Sequence, residues 1–152
     1  MTCTDRLRRE HDAALAMSNR LLDLIDSYAG EEDALVIAMQ VNKLLGLMRI
    51  HLAHEDVQLY PQLIALDDQA VARLARTYAN DMGGLAIELE TFARHWSCSA
   101  SIASGIEEFR DEAHILMLAL AVRIECENRY LYPLADAADA ADAAATATCK
   151  AA

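Results

Sequence analysis

Apolar residues recur along this chain at spacings of three and four, the period of helices that each turn one face to a core. In a first segment, from about Thr4 to Tyr28, the stripe is Leu7, His11, Ala14, Ser18, Leu21, Leu22 and Ile25, with Gly30 as the stop. Glu31-Glu32-Asp33 suits the positive end of a second helix, whose stripe is Ile37, Val41, Leu44, Met48, His51, Glu55 and Leu59. Pro61 bends or ends it, and Leu63 to Leu66 leads into a turn at Asp67-Asp68. A third stripe reads Val71, Leu74, Tyr78, Asp81, Met82, Leu85, Leu89, Phe92 and Trp96. Gly83-Gly84 in its middle costs roughly 1 kcal/mol per glycine relative to alanine, a cost that a closely approaching neighbour helix would explain. Ser97 to Ser104 reads as a polar connector and Ser104-Gly-Ile-Glu107 as a capping box for a fourth helix. That helix turns Ile106, Phe109, Ala113, Leu116, Leu120, Ile124, Glu127 and Leu131 inward. Four helices with short connections predict an all-α, up-down-up-down four-helix bundle over residues 1–135. The Ala/Asp-rich stretch 136–152 has no core pattern, so the expectation there is a frayed helix or disorder.

Two helical segments share one template. His51-Leu-Ala-His-Glu55-Asp-Val-Gln-Leu59-Tyr60-Pro61 reads H-x-x-x-E-x-x-x-L-Y-P, and residues 123–133 read R-x-x-x-E-x-x-x-L-Y-P through Arg123, Glu127, Leu131, Tyr132 and Pro133. Residues four apart share a helix face, so the first copy aims an imidazole and a carboxylate at one point. The second offers a carboxylate beside a guanidinium, which has no lone pair for a metal. In the predicted topology the second and fourth helices run parallel, which sets the two copies at one height.

Composition narrows the options. The chain has 152 residues, 55% hydrophobic but only 5% aromatic, with two prolines and five glycines, which suits long helices. A formal charge of −11 leaves nothing to neutralise phosphates, so neither nucleic acid nor an anionic membrane is an expected partner. No consecutive apolar run reaches the roughly 20 residues of a membrane span, and the first ten residues lack a signal-peptide apolar region. Together with Cys3, Cys98, Cys126 and Cys149, which form no C-x-x-C pair, this predicts a cytoplasmic protein with free thiols.

Six polar side chains fall on inward stripes: His11, His51, Glu55, Asp81, Arg123 and Glu127. Each would need a partner in a bundle core. Two imidazoles and three carboxylates form a set that iron or manganese sites use. Taken singly, each has a plainer reading: His11 as a satisfied core histidine, Asp81 as an exposed edge or an ion pair, Arg123–Glu127 as an intrahelical salt bridge. His54 lies at the stripe's edge, beside the ligands or as an alternative one. His95 and His114 fall away from the cluster.

The chain resembles the hemerythrin-like HHE cation-binding family over roughly residues 4 to 135. The resemblance rests on Arg-Glu-His11-Asp in the first helix, His51-x-x-x-Glu55 with Leu59-Tyr60-Pro61 in the second, and Glu127 with Leu131-Tyr132-Pro133 in the fourth. It implies a four-helix bundle around a non-haem, usually di-iron, centre bridged by carboxylates, with His11, His51, Glu55 and Glu127 at ligand positions. Roles in the family span oxygen binding, sensing of oxygen, redox state or nitric oxide, and iron handling. Two departures stand out: the third helix reads Asn80-Asp81-Met82 where the family places histidine, and Arg123 stands where it places another. A five-histidine oxygen carrier is thereby excluded. The remaining options are a carboxylate-richer di-metal site of His11, His51, Glu55, Asp81 and Glu127, or a single-metal remnant.

The expectation is therefore a non-enzymatic, iron-binding protein, mono- or dinuclear, that senses or buffers oxygen, nitric oxide, redox state or iron. Its partners would be the metal and a small diatomic ligand. The alternative is a metal-free bundle in which Arg123 replaces the metal and an acidic helical face binds a regulatory protein.

Overall fold

A computed structural model describes the backbone of residues 3–150 and the side chains of residues 4–147; the thiols of Cys3 and Cys149 lie outside the described residues. Among the described residues, five helices account for the fold: α1 (Cys3–Asp26), α2 (Glu31–Ile64), α3 (Gln69–His95), the short α4 (Ser99–Ser104) and α5 (residues 106–150). The four long ones form a ring in which α1 packs on α2 and α5, and α3 packs on the same two. The two template copies thus sit on α2 and α5, which run parallel at diagonal corners.

The stripes of α1, α2 and α5 bury nearly as their periodicity dictates. Leu7, Ala14, Leu21 and Ile25 of α1 are core, as are Ile37, Val41, Leu44, Met48 and Leu59 of α2 and Phe109, Ala113, Leu116, Leu120, Ile124 and Leu131 of α5. The core divides into two apolar clusters. One holds Ala14, Met48 and Ile124; the other holds Leu7, Leu59, Leu63, Tyr60, Leu131 and Tyr132. Between them the stripes of three helices turn polar at one level, at His11, at His51 and Glu55, and at Glu127.

Both template copies contain a π turn. Glu55–Leu59 and Glu127–Leu131 each close with an i→i+5 bond: the Tyr60 N–H donates to the Glu55 carbonyl, and the Tyr132 N–H to the Glu127 carbonyl. A proline lacks an N–H and its ring crowds the carbonyl four residues back. The wider turn just ahead of Pro61 and Pro133 absorbs that conflict, and both helices continue beyond it.

Several expectations need correction. On α3 the buried residues near its start are Ala72 and Ala75, so Val71, Leu74 and Tyr78 are half-buried and Asp81 faces solvent. Gly83 and Gly84 meet no neighbour within 4 Å of a built Cβ, so no close helix approach explains them. Gly84 instead lines a groove of about 560 Å³ between α3 and α5, with Tyr78, Val122, Arg123 and Cys126. The capping box does not form, because Gly105 is the N-cap and the Ser104 hydroxyl donates back to the Ser101 carbonyl. Gly105 lies beneath Trp96, whose ring would stand 3.0 Å from an added Cβ, and the Trp96 indole N–H is held by Glu112 at 2.7 Å. Ser97 to Ser104 is not all connector, since α4 occupies most of it.

Past Pro133 the chain is helical as far as Lys150, where a frayed helix or disorder was the expectation. Asp136 accepts from the Thr4 hydroxyl and pairs with Arg8 at 3.2 Å, and the Gln62 amide donates to Asp139. Those contacts fasten the first turns beyond the proline to α1 and to the end of α2. By length and mean hydropathy α2 could cross a membrane, although polar residues interrupt every long apolar run in it. In this fold its buried stripe carries His51 and Glu55 into the bundle axis.

Candidate metal centre

Four side chains converge between the two apolar clusters: His11 from α1, His51 and Glu55 from α2, and Glu127 from α5. One donor atom from each lies within 4.8 Å of the others, and none of the four residues is more than 1% exposed. The His11 Nε2 is 3.2 Å from Glu127 Oε2, the His51 Nε2 is 3.6 Å from Glu55 Oε1, and the two imidazole centroids are 4.5 Å apart.

Both imidazoles are anchored from behind. The Nδ1 of His11 is 2.9 Å from the Asn128 side-chain oxygen, and the Nδ1 of His51 is 3.0 Å from Glu10 Oε2. Both partners are acceptors, so each Nδ1 carries the proton and each Nε2 presents a lone pair to the cluster. Burial first, and the neighbouring His11 second, lower the His51 pKa, which keeps that ring neutral. Glu10 also reaches His54, whose Nδ1 is 2.8 Å from its other oxygen. His54 therefore sits beside the cluster, one carboxylate removed from it.

The carboxylates behave unequally. Burial, reinforced by the charge of Glu127, pushes the Glu55 carboxyl up to about 8. Burial pushes Glu127 the same way, but the close contact with His11 and the Arg123 charge outweigh it and hold it below the usual carboxylate range. Two like charges this close do not both ionise freely, and the guanidinium decides which one does. Both oxygens of Glu55 accept phenols: Tyr132 donates to Oε1 at 2.7 Å and Tyr60 to Oε2 at 3.2 Å. Burial, then the Glu55 charge, raise both tyrosines far above their ordinary range, so both hydroxyls keep their protons. The Tyr132 ring lies parallel to His11 at 5.1 Å, with the Arg8 guanidinium over it at 5.2 Å.

Arg123 bonds Glu127 Oε1 through Nε at 2.6 Å and the Tyr78 carbonyl through Nη2. Its guanidinium stacks on the Tyr78 ring at 4.3 Å. Asp81 is not brought to the cluster: its side chain is 65% exposed, and its nearest charged partner is the Arg123 Nη1 at 4.0 Å. The drift of the α3 stripe to Ala72 and Ala75 is the cause. His114 pairs with Asp26 on the surface, and His95 stacks on Trp96. The described thiols, Cys98 and Cys126, are free and outside the cluster.

Four contributors escaped the sequence reading: Tyr60, Tyr132, Glu10 and Asn128. The tyrosines had a visible signal, because the same residue recurs five places after the glutamate in both copies. Glu10 and Asn128 are direct neighbours of His11 and Glu127, and nothing in their spacing marks them.

The arrangement fits a cation. Among the buried side-chain atoms left without a hydrogen-bond partner are His51 Nε2 and Glu127 Oε2, both directed into the cluster. Such orphans are costly unless something else satisfies them. Two imidazole nitrogens with carboxylate oxygens form the mixed N/O set that suits iron, manganese or zinc.

This geometry defines a helical bundle with a buried histidine–carboxylate centre. The Hemerythrin HHE cation binding domain matches residues 2–135, and the chain belongs to that family. No curated protein and no solved structure matches the chain.

Proposed function

We propose that this chain binds non-haem iron through His11, His51, Glu55 and Glu127, and senses or buffers oxygen, nitric oxide, redox state or iron without turning over a substrate. The observation that carries this reading is the pair of orphaned acceptors, His51 Nε2 and Glu127 Oε2, aimed at a point that the His11 Nε2 and a Glu55 oxygen also face. When bound, the metal supplies an open coordination position and a redox couple.

The residues around it set the terms. Glu10 and Asn128 fix the ring tautomers and raise the basicity of the facing nitrogens, as partners of ligating histidines do. Tyr60 and Tyr132 donate to Glu55 and hold its orientation. Apolar clusters above and below keep bulk water out, and burial this complete suits a diatomic ligand or an electron better than an organic substrate. A cytoplasmic setting is part of the same reading, supported by the free thiols of Cys98 and Cys126.

Metal analysis of protein purified from iron-supplemented cells tests it. Near-stoichiometric iron, lost in a His51→Ala variant, is the expected result; trace iron with no charge-transfer absorption removes the proposal. A second reading has one specific observation behind it, the 2.6 Å bond from Arg123 to Glu127, which places a fixed cation in the site. On that reading the bundle is metal-free and binds a regulatory protein, and chelators leave its melting temperature unchanged.

A further inference from the structure

We propose that Arg123 makes this a one-metal centre: its guanidinium stands, beside Glu127, where a second ion would have to sit. The inference rests on the metal-binding reading above and adds the nuclearity to it.

The two template copies provide the argument. In the first, the residue one turn before the glutamate is His51, which presents a lone pair. In the second it is Arg123, which presents protons and a permanent positive charge. That charge is not free to swing away. Nε is bonded to Glu127 Oε1, Nη2 to the Tyr78 carbonyl, and the guanidinium plane rests on the Tyr78 ring, with only 12% of the side chain exposed. One oxygen of Glu127 is therefore committed, and only Oε2 faces the imidazoles.

Distance points the same way. Donors on opposite sides of one ion, each about 2.1 Å from it, are about 4 Å apart, and here all four donors lie within 4.8 Å of one another. Two ions in a shared site sit about 3.5–4 Å apart and need donors beyond each end of their axis. Arg123 and the Tyr78 ring occupy the end beyond Glu127, and Asp81, the α3 carboxylate that pairs with Arg123, points to solvent. Charge agrees as well. With Glu55 ionised by a bound metal, two carboxylates less one guanidinium leave a single negative charge, which one divalent ion more than balances and two would greatly exceed.

The test is anaerobic titration of the full chain with Mn(II), followed by desalting, metal analysis and electron paramagnetic resonance. One equivalent per chain with the signal of an isolated ion is the expected result. Two equivalents with an exchange-coupled signal overturn the one-metal inference while leaving metal binding intact. No retained manganese, together with no iron in the purified protein, removes the reading on which the inference rests. Arg123→His checks the cause: the folded variant takes up a second equivalent, and a folded variant that still stops at one shows that Arg123 is not what excludes it. If that variant does not fold, the stoichiometry and signal of the unaltered chain decide.

Discussion

In the first template copy, His51 stands one turn before Glu55 with its Nε2 3.6 Å from a carboxyl oxygen; in the second, Arg123 stands one turn before Glu127 with its Nε at 2.6 Å. The backbones are alike, each with a π turn, a proline and an inward tyrosine. The chemistry is opposite. One half offers an unpaired lone pair beside a carboxyl that keeps its proton, and the other a bonded cation beside a carboxylate that stays ionised. A single side chain, one turn upstream, sets the charge state of a site whose scaffold is duplicated.

The harshest way to break this comparison is to strip the second half of its cation. Arg123→Ala leaves Glu127 buried and unpaired, so metal-free protein should lose about 3–5 kcal/mol by denaturant titration. Replacing both partners with leucine should recover most of that loss, since apolar replacement of a buried pair is close to neutral. A smaller effect is expected behind the first half. Glu10→Ala should weaken metal binding roughly 10–100-fold with little change in metal-free stability, because Glu10 orients His51 and does not fill the core.

The tyrosines should differ in the same sense. Tyr132→Phe removes the 2.7 Å bond to Glu55 and a neighbour of the His11 Nε2, and should cost about 1–3 kcal/mol. Tyr60→Phe removes bonds of 3.2 and 3.5 Å and should cost about 0.5–1.5 kcal/mol. The smallest effect on metal-free stability is expected from Glu55→Gln, which at neutral pH replaces an already uncharged group. Its influence is on pH dependence. In the fold Glu55 keeps its proton up to about 8, against an ordinary value of 4.5, so the native state binds more protons in that window. The stability it contributes is full below 4.5 and is lost as pH rises towards 8. That decline should flatten in Glu55→Gln when metal-free melting temperature is plotted against pH.

The stripes of α1, α2 and α5 could be read from spacing because burial there follows the α-helical period, and the repeat gave His51, Glu55 and Glu127 their common level. Tyr60 and Tyr132 were lost to the same assumption. Five residues on in an α-helix is about 140° away from the starting face, so the tyrosines project off the stripe of Glu55 and Glu127. The π turn swings them back towards it. Asp81 failed for a related reason: the stripe of α3 is carried near its start by alanines, which a search for large apolar residues passes over. Glu10 and Asn128 act across helix boundaries, and only the packed bundle reveals what they hold.

The doubled π turn also determines which lesions the centre could survive. Every side chain from Tyr60 to Ile64, and every one from Tyr132 onward, takes its bearing from one extra residue lodged in the loop of backbone before it. Deleting a single codon within 56–58 or 128–130 would restore an ordinary helix and leave each tyrosine four residues after its glutamate, about 40° from it, so all that follows would keep nearly its present bearing. Such a frame-preserving deletion should damage the protein less than the same deletion in the plain α-helical turns before it, which would rotate everything downstream by about 100°.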